Sequence, residues 1–138
     1  MIRPKYELPP KQSKADRTDH YELATLRDGN RCLFRAPECV GAAQRDHRQN
    51  RTAFNTVTSN LQLLCLVHHQ WKSEHPEDAL AEGWAVPSWA DPAEWPARRW
   101  VDVGYGVLRL VWCLYDDEGG IRVISEAEAF RPMYGEAG

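Results

Sequence analysis

Four residues with metal-ligand chemistry, Cys32, Cys39, Cys65 and His68, constrain this chain more than any other feature. Tetrahedral zinc takes four Cys or His ligands, usually as two close pairs. Cys65 and His68 stand at knuckle spacing, two residues between them. Cys32 and Cys39 are more widely spaced, and Pro37-Glu38 suits a turn that brings their thiolates together. A segment closed by such a knuckle must fold back on itself. His69 follows His68 directly, and adjacent residues on a helix point about 100° apart. One histidine can therefore serve a structural zinc while the other faces a different site.

A second set of residues falls within the same stretch. Asp46-His47 places a carboxylate and an imidazole at the end of an expected short strand, with side chains on its opposite faces. Asp46 and His69 suit a hard divalent ion such as Mg²⁺ or Mn²⁺, with waters completing the shell. His47 is then placed to act on a water near that ion. Asn60 is expected to hydrogen-bond His47 and fix its tautomer. Arg45, Arg48, Arg51 and Lys72 flank these residues, either as phosphate contacts or as solvated surface charge.

Length and charge bound the setting. The 138 residues suggest one domain, and a 43% hydrophobic fraction with six Trp can supply a core, although 9 Gly and 9 Pro interrupt it often. No apolar run approaches the length of a membrane span. Met1-Ile2-Arg3-Pro4-Lys5 lacks the apolar stretch of a signal peptide. A cytoplasmic, reducing setting is the expectation, in which clustered cysteines bind metal rather than pair. The net charge of −3 is uneven. Residues 1–75 carry 12 Lys/Arg against 8 Asp/Glu, and residues 76–138 carry 5 against 12. The basic half holds the metal-type residues, and the local field matters most to an approaching polyanion.

Three segments are expected. Residues 1–17, rich in Pro, Lys and Gln, read as a flexible arm. Residues 18–75 form the core. Thr18 or Asp19 caps a helix to about Arg27, with Tyr21, Leu23 and Leu26 buried and Gly29 as the stop. Strands follow at Ala42–His47 and Thr56–Ser59, then a tight turn at Ser59–Gln62 and a helix from about Val67 to Glu74. Residues 76–138 pack on this core. Within them a short helix at 77–82 ends at Gly83, and extended chain follows, carrying Trp84, Trp89, Trp95 and Trp100. These tryptophans read as core staples, with base stacking as the alternative. Asp91-Pro92 opens one helical turn. Val107–Leu114 and Ile121–Ile124 form a hairpin about the Asp116–Gly120 turn, Cys113 is a core residue, and Ser125 caps a last helix.

The run Asp46-His47 … Ser59-Asn60-Leu61-Gln62-Leu63-Leu64-Cys65-x-x-His68-His69-x-x-Lys72 resembles the HNH endonucleases, over roughly residues 19–75. The resemblance implies an α+β fold with a ββα-metal core braced by a Cys3His zinc knuckle. It implies metal-dependent hydrolysis of DNA phosphodiester bonds, with His47 as general base, Asn60 as its orienter, and Asp46 and His69 as ligands of the catalytic ion. The chain departs from the family's usual Cys-x-x-Cys-His knuckle at His68, and its first cysteine pair is wider. An association with phages and their DNA-packaging proteins is a further expectation; a zinc-stabilised DNA- or protein-binding module with weak or no cleavage is the competing one.

Overall fold

The computed structural model describes residues 10–135. Among them lie four helices and two antiparallel sheets, an α+β arrangement. No helix of the described residues is long and apolar enough to cross a membrane.

Helix α1 spans Lys14–Arg27 and begins earlier than the sequence suggested. Its N-cap is Ser13, whose hydroxyl accepts from the Asp16 N–H at 3.0 Å, satisfying one of the free donors of the first turn. Gln12 is fixed just before it: its side chain donates to Thr56 O and accepts from Thr56 N. The expected arm therefore does not extend through residue 17; its residues 1–9 lie outside the described part. The buried face also differs from expectation. Ala24 and Asp28 are buried whereas Leu26 is 78% exposed. Asp28 closes the helix, and Gly29 follows with φ +66, as its freedom in the left-handed region permits.

Strands β1 (Gln44–His47) and β2 (Leu61–Leu64) pair antiparallel, with Asp46 opposite Gln62 and His47 opposite Leu61. The expected strand at Thr56–Ser59 is not formed. Thr58–Asn60 makes a single 3-10 turn, and the strand begins one residue after it. All four residues of β2 are buried, so it shows no alternation of polar and apolar side chains. Helix α2 (Leu66–Glu74) follows β2 directly, and α3 (Pro76–Glu82) follows α2 after the single residue His75. Pro76 ends one helix and opens the next, since its missing N–H costs nothing at a first helical position. Gly83 stops α3 in the left-handed conformation at φ +74, against Pro96, so that any side chain there would collide with the Pro96 carbonyl.

The second sheet has the order β3-β4-β5, formed by Ala97–Asp102, Leu108–Tyr115 and Ile121–Ile124. The β4–β5 hairpin turns at Asp116–Gly120, where the Asp116 carboxylate accepts from the Glu118 and Gly120 N–H groups. Helix α4 (Glu126–Tyr134) is capped by Ser125, whose hydroxyl accepts from Glu128 N. Strand β3 lies in the stretch read only as extended chain. Cys113 is fully buried, its thiol donating to Ala97 O. Of the four tryptophans at 84–100, Trp95 is buried and Trp84 packs against Phe34 and Trp71, whereas Trp89 is 76% exposed and Trp100 lies at the surface.

A buried charged cluster joins the two sheets. Asp28 accepts from Arg27, from Arg99 of β3 and from the Leu63 N–H of β2. Burial alone would raise the Asp28 carboxyl, but the Arg27 and Arg99 guanidinium groups hold it below its usual range. Arg27 also donates to Leu61 O and stacks over the Tyr115 ring, 4.0 Å from its centroid. Strand β2 is thus anchored on α1 and on β3 and β4.

Candidate metal centre and cleft

The loop between α1 and β1 carries Cys32 and Cys39. It is stitched to β2 by the Leu33 N–H donating to Leu63 O, and it turns where Cys39 N donates to Ala36 O. This turn brings the wide cysteine pair together. Cys65 is the N-cap of α2, and His68 lies in its first turn. The three sulfurs converge on one nitrogen: His68 Nδ1 lies 3.4 Å from Cys32 Sγ, 3.4 Å from Cys39 Sγ and 3.2 Å from Cys65 Sγ. All four ligand atoms fall within 4.8 Å of one another. Tetrahedral zinc, with Zn–S near 2.3 Å and Zn–N near 2.0–2.1 Å, separates sulfur from nitrogen by about 3.5 Å. The donor set and its spacing therefore fit a metal ion such as zinc.

The surroundings favour that use. Burial pushes the Cys65 thiol up, but N–H groups of His68 and Val40 and the His68 side chain outweigh it and bring it down to about 6. Cys65 is thus the more easily ionised of the two buried thiols, whereas burial drives Cys32 up to about 12. The Phe34 ring stacks on His68 at 3.8 Å. The other ring nitrogen, Nε2, faces Glu38 Oε1 at 3.3 Å. A carboxylate behind a ligating histidine fixes its tautomer and orientation. Glu38, expected only as a turn residue, is thus also the partner of His68, and its position beside Cys39 is the signal for that role.

Against the face of α2 that carries His69 and Lys72 lies a cleft of about 660 Å³, lined by Arg45, Asp46, His47, Arg51, His69 and Lys72 among others. Asp46 is buried, and both of its oxygens are engaged. Oδ1 meets His69 Nδ1 at 2.9 Å; Oδ2 accepts from Lys72 Nζ at 2.7 Å and from Gln62 Nε2 at 2.8 Å. His69 and Lys72 are three residues apart on α2 and so share a face. Gln62 is the cross-strand partner of Asp46. Asp46 and His69, which the sequence paired, do lie together. Gln62 was missed because its role depends on the strand register.

His47 lines the same cleft. Its Nε2 lies 2.9 Å from Thr56 Oγ1. In the tautomer whose Nε2–H donates to Thr56, Nδ1 carries the free lone pair that a base needs. Burial first, and then the positive charge of Arg51, hold the His47 imidazole below its ordinary value, with Asp46 opposing and Lys72 adding to the effect.

Three expectations are corrected here. The Asn60 side chain makes no hydrogen bond to His47. The strand register places it opposite Arg48, one residue too far, and its side chain is spent on the following loop. It accepts from Gln49 N at 2.8 Å and donates to Asn55 O at 2.9 Å. Thr56 is the partner that His47 has instead. Arg48 is no phosphate contact: it is buried and donates to Gly83 O, Ser59 O, Pro92 O and Trp95 O. It follows β1 directly and shares the buried parity of Asp46, between the half-buried His47 and Gln49. Lys72 is tied to Asp46 and to His47 O at 2.6 Å rather than free on the surface. Arg45, set over the Tyr21 ring, and Arg51 remain exposed at the cleft.

Comparison with family models, curated proteins and solved structures gave no match to this chain.

Proposed function

We propose that this protein is a metal-dependent endonuclease of the HNH type, hydrolysing DNA phosphodiester bonds within a zinc-braced ββα-metal core. The observation that carries the reading is the meeting of Asp46, His69 and His47 in one cleft. The cleft lies on the face of α2 away from the Cys3His group.

The chemistry follows from charge. Hydrolysis builds negative charge on the phosphoryl oxygens and on the leaving oxygen. A divalent ion, Mg²⁺ or Mn²⁺, held by Asp46 and His69 would supply the neutralising charge. His47 takes a proton from the attacking water, and its depressed basicity keeps it neutral near pH 7. Thr56 holds the ring. Asn60 shapes the loop that carries Arg51, and Arg45 and Arg51 hold phosphates without reading sequence. Zinc held by Cys32, Cys39, Cys65 and His68 would brace the start of α2, from which His69 projects. DNA is the partner this site fits.

One observation favours a weaker enzyme. The Lys72 ammonium already sits on Asp46, which suits a DNA-binding module of low intrinsic cleavage acting in phage DNA packaging beside other proteins. Incubation with supercoiled plasmid separates the readings. Conversion to nicked or linear DNA that depends on added Mg²⁺ or Mn²⁺ supports the endonuclease; retention of DNA on a gel with no conversion supports the binding module.

A further inference from the structure

The Asp46 carboxylate is held asymmetrically. Two donors from different elements meet on Oδ2, Lys72 Nζ at 2.7 Å and Gln62 Nε2 at 2.8 Å. The second Gln62 N–H is used on Trp84 O at 2.7 Å, and the Gln62 side chain is fully buried, so its amide cannot turn without losing both acceptors. Lys72 is fixed in the same way. Its ammonium is bound at once by Asp46 and by His47 O, and its side chain is only 15% exposed. Oδ1 alone is left facing His69.

A fixed ammonium on one oxygen of a carboxylate reduces the attraction of the other oxygen for a second cation. It also repels that cation directly, and strongly where water is largely excluded. A phosphate backbone arriving at the cleft changes the balance, because its charge offsets the ammonium and its oxygens supply further ligands. We propose that Lys72 is a resident cation that weakens the Asp46–His69 pair for a divalent ion, with Gln62 keeping Oδ1 turned to His69, so that ion and nucleic acid load together. The proposal rests on reading Asp46 and His69 as an ion-binding pair. Linkage makes it reciprocal: the ion strengthens DNA binding by the factor by which DNA strengthens ion binding.

The test is Mn²⁺ binding to zinc-loaded protein, followed by the electron paramagnetic resonance of the free ion. Circular dichroism and zinc content verify the fold of each variant. Lys72→Met is expected to bind Mn²⁺ about ten-fold or more tightly than wild type, as removal of an adjacent buried charge implies. Lys72→Arg keeps the charge and should stay near wild type, and Lys72→Gln serves as a second neutral variant. In a His47→Ala background, which spares the DNA, an oligonucleotide duplex should tighten Mn²⁺ binding more when Lys72 is present than when it is Met. Equal or weaker Mn²⁺ binding by both neutral variants, with wild type binding the ion, overturns the role of Lys72 and leaves the Asp46–His69 pair standing. No Mn²⁺ bound by wild type or by either neutral variant overturns the pair and the proposal together.

Discussion

His68 and His69 are neighbours in the chain, yet they face different sites from one helix, their side chains set about 100° apart. His68 Nδ1 faces three cysteine sulfurs, whereas His69 Nδ1 faces Asp46 at 2.9 Å. Their burial differs in the same sense: His68 is 3% exposed, and the His69 side chain is half exposed on the cleft.

Substitutions of the two should therefore fail differently. His68→Ala should lower both zinc content and melting temperature, and His68→Cys should restore both, since a thiolate is an equally good zinc ligand. His69→Ala should keep zinc and fold while losing ion-dependent cleavage. Metal analysis and thermal melts read the first effect and plasmid nicking the second. A reversed pattern would mean that the roles are exchanged.

One zinc per chain is expected, and its removal should unfold the region about α2, because ion binding is part of the folding energy of small metal-braced domains. Cys65→Ser should give insoluble or unfolded protein. Glu38→Gln should leave the zinc bound but weaken it roughly ten-fold or more, the usual scale for a partner behind a ligand. Competition with a chromophoric chelator measures this. Soluble, folded, zinc-free protein would remove the site.

The pH profile of cleavage should report His47. Its basicity is depressed by burial and by Arg51, so the neutral, active form persists below the ordinary histidine value of about 6.5. Activity should rise with pH through an inflection below that value and be level above it. Arg51→Gln removes a positive neighbour and should move the inflection upward. An inflection well above the ordinary value would contradict the burial and charge around His47.

Arg48→Ala should be destabilising by at least about 3 kcal/mol. It strands several buried carbonyls, and each costs roughly 1–3 kcal/mol when left without a donor. Although burial pulls this guanidinium down to about 10, it stays charged at neutral pH. Denaturant unfolding checks the loss. A stable Arg48→Ala protein with selectively weakened DNA binding would return Arg48 to the surface role first expected of it.

What the sequence made legible was local chemistry, and what it hid was register. The Cys65–His68 spacing and the pairing of Asp46 with His69 could be read because each follows from residue type and short spacing. The Asp116–Gly120 turn and the Ser125 cap were legible for the same reason. Asn60 escapes the sequence because one residue of register sets it opposite Arg48 instead of His47. The second strand lies at Leu61–Leu64 rather than the expected Thr56–Ser59, and its four buried residues carry no period-two signal. Strand β3 was missed because two arginines interrupt it, and the partner that explains Arg99 is Asp28, 71 residues away. Thr56 and Gln62 are ordinary polar residues whose roles appear only once the strands are paired.

Conversion of supercoiled plasmid by zinc-loaded wild type and His47→Ala protein, each with and without added Mg²⁺ or Mn²⁺, decides whether the cleft is a nuclease site. Ion-dependent nicking is expected of wild type, with a loss of about 10²–10⁴-fold in His47→Ala, the usual contribution of a general base, and zinc content and melting temperature unchanged. Nicking by His47→Ala at the wild-type rate, or no ion-dependent nicking by folded wild type, would contradict the nuclease reading.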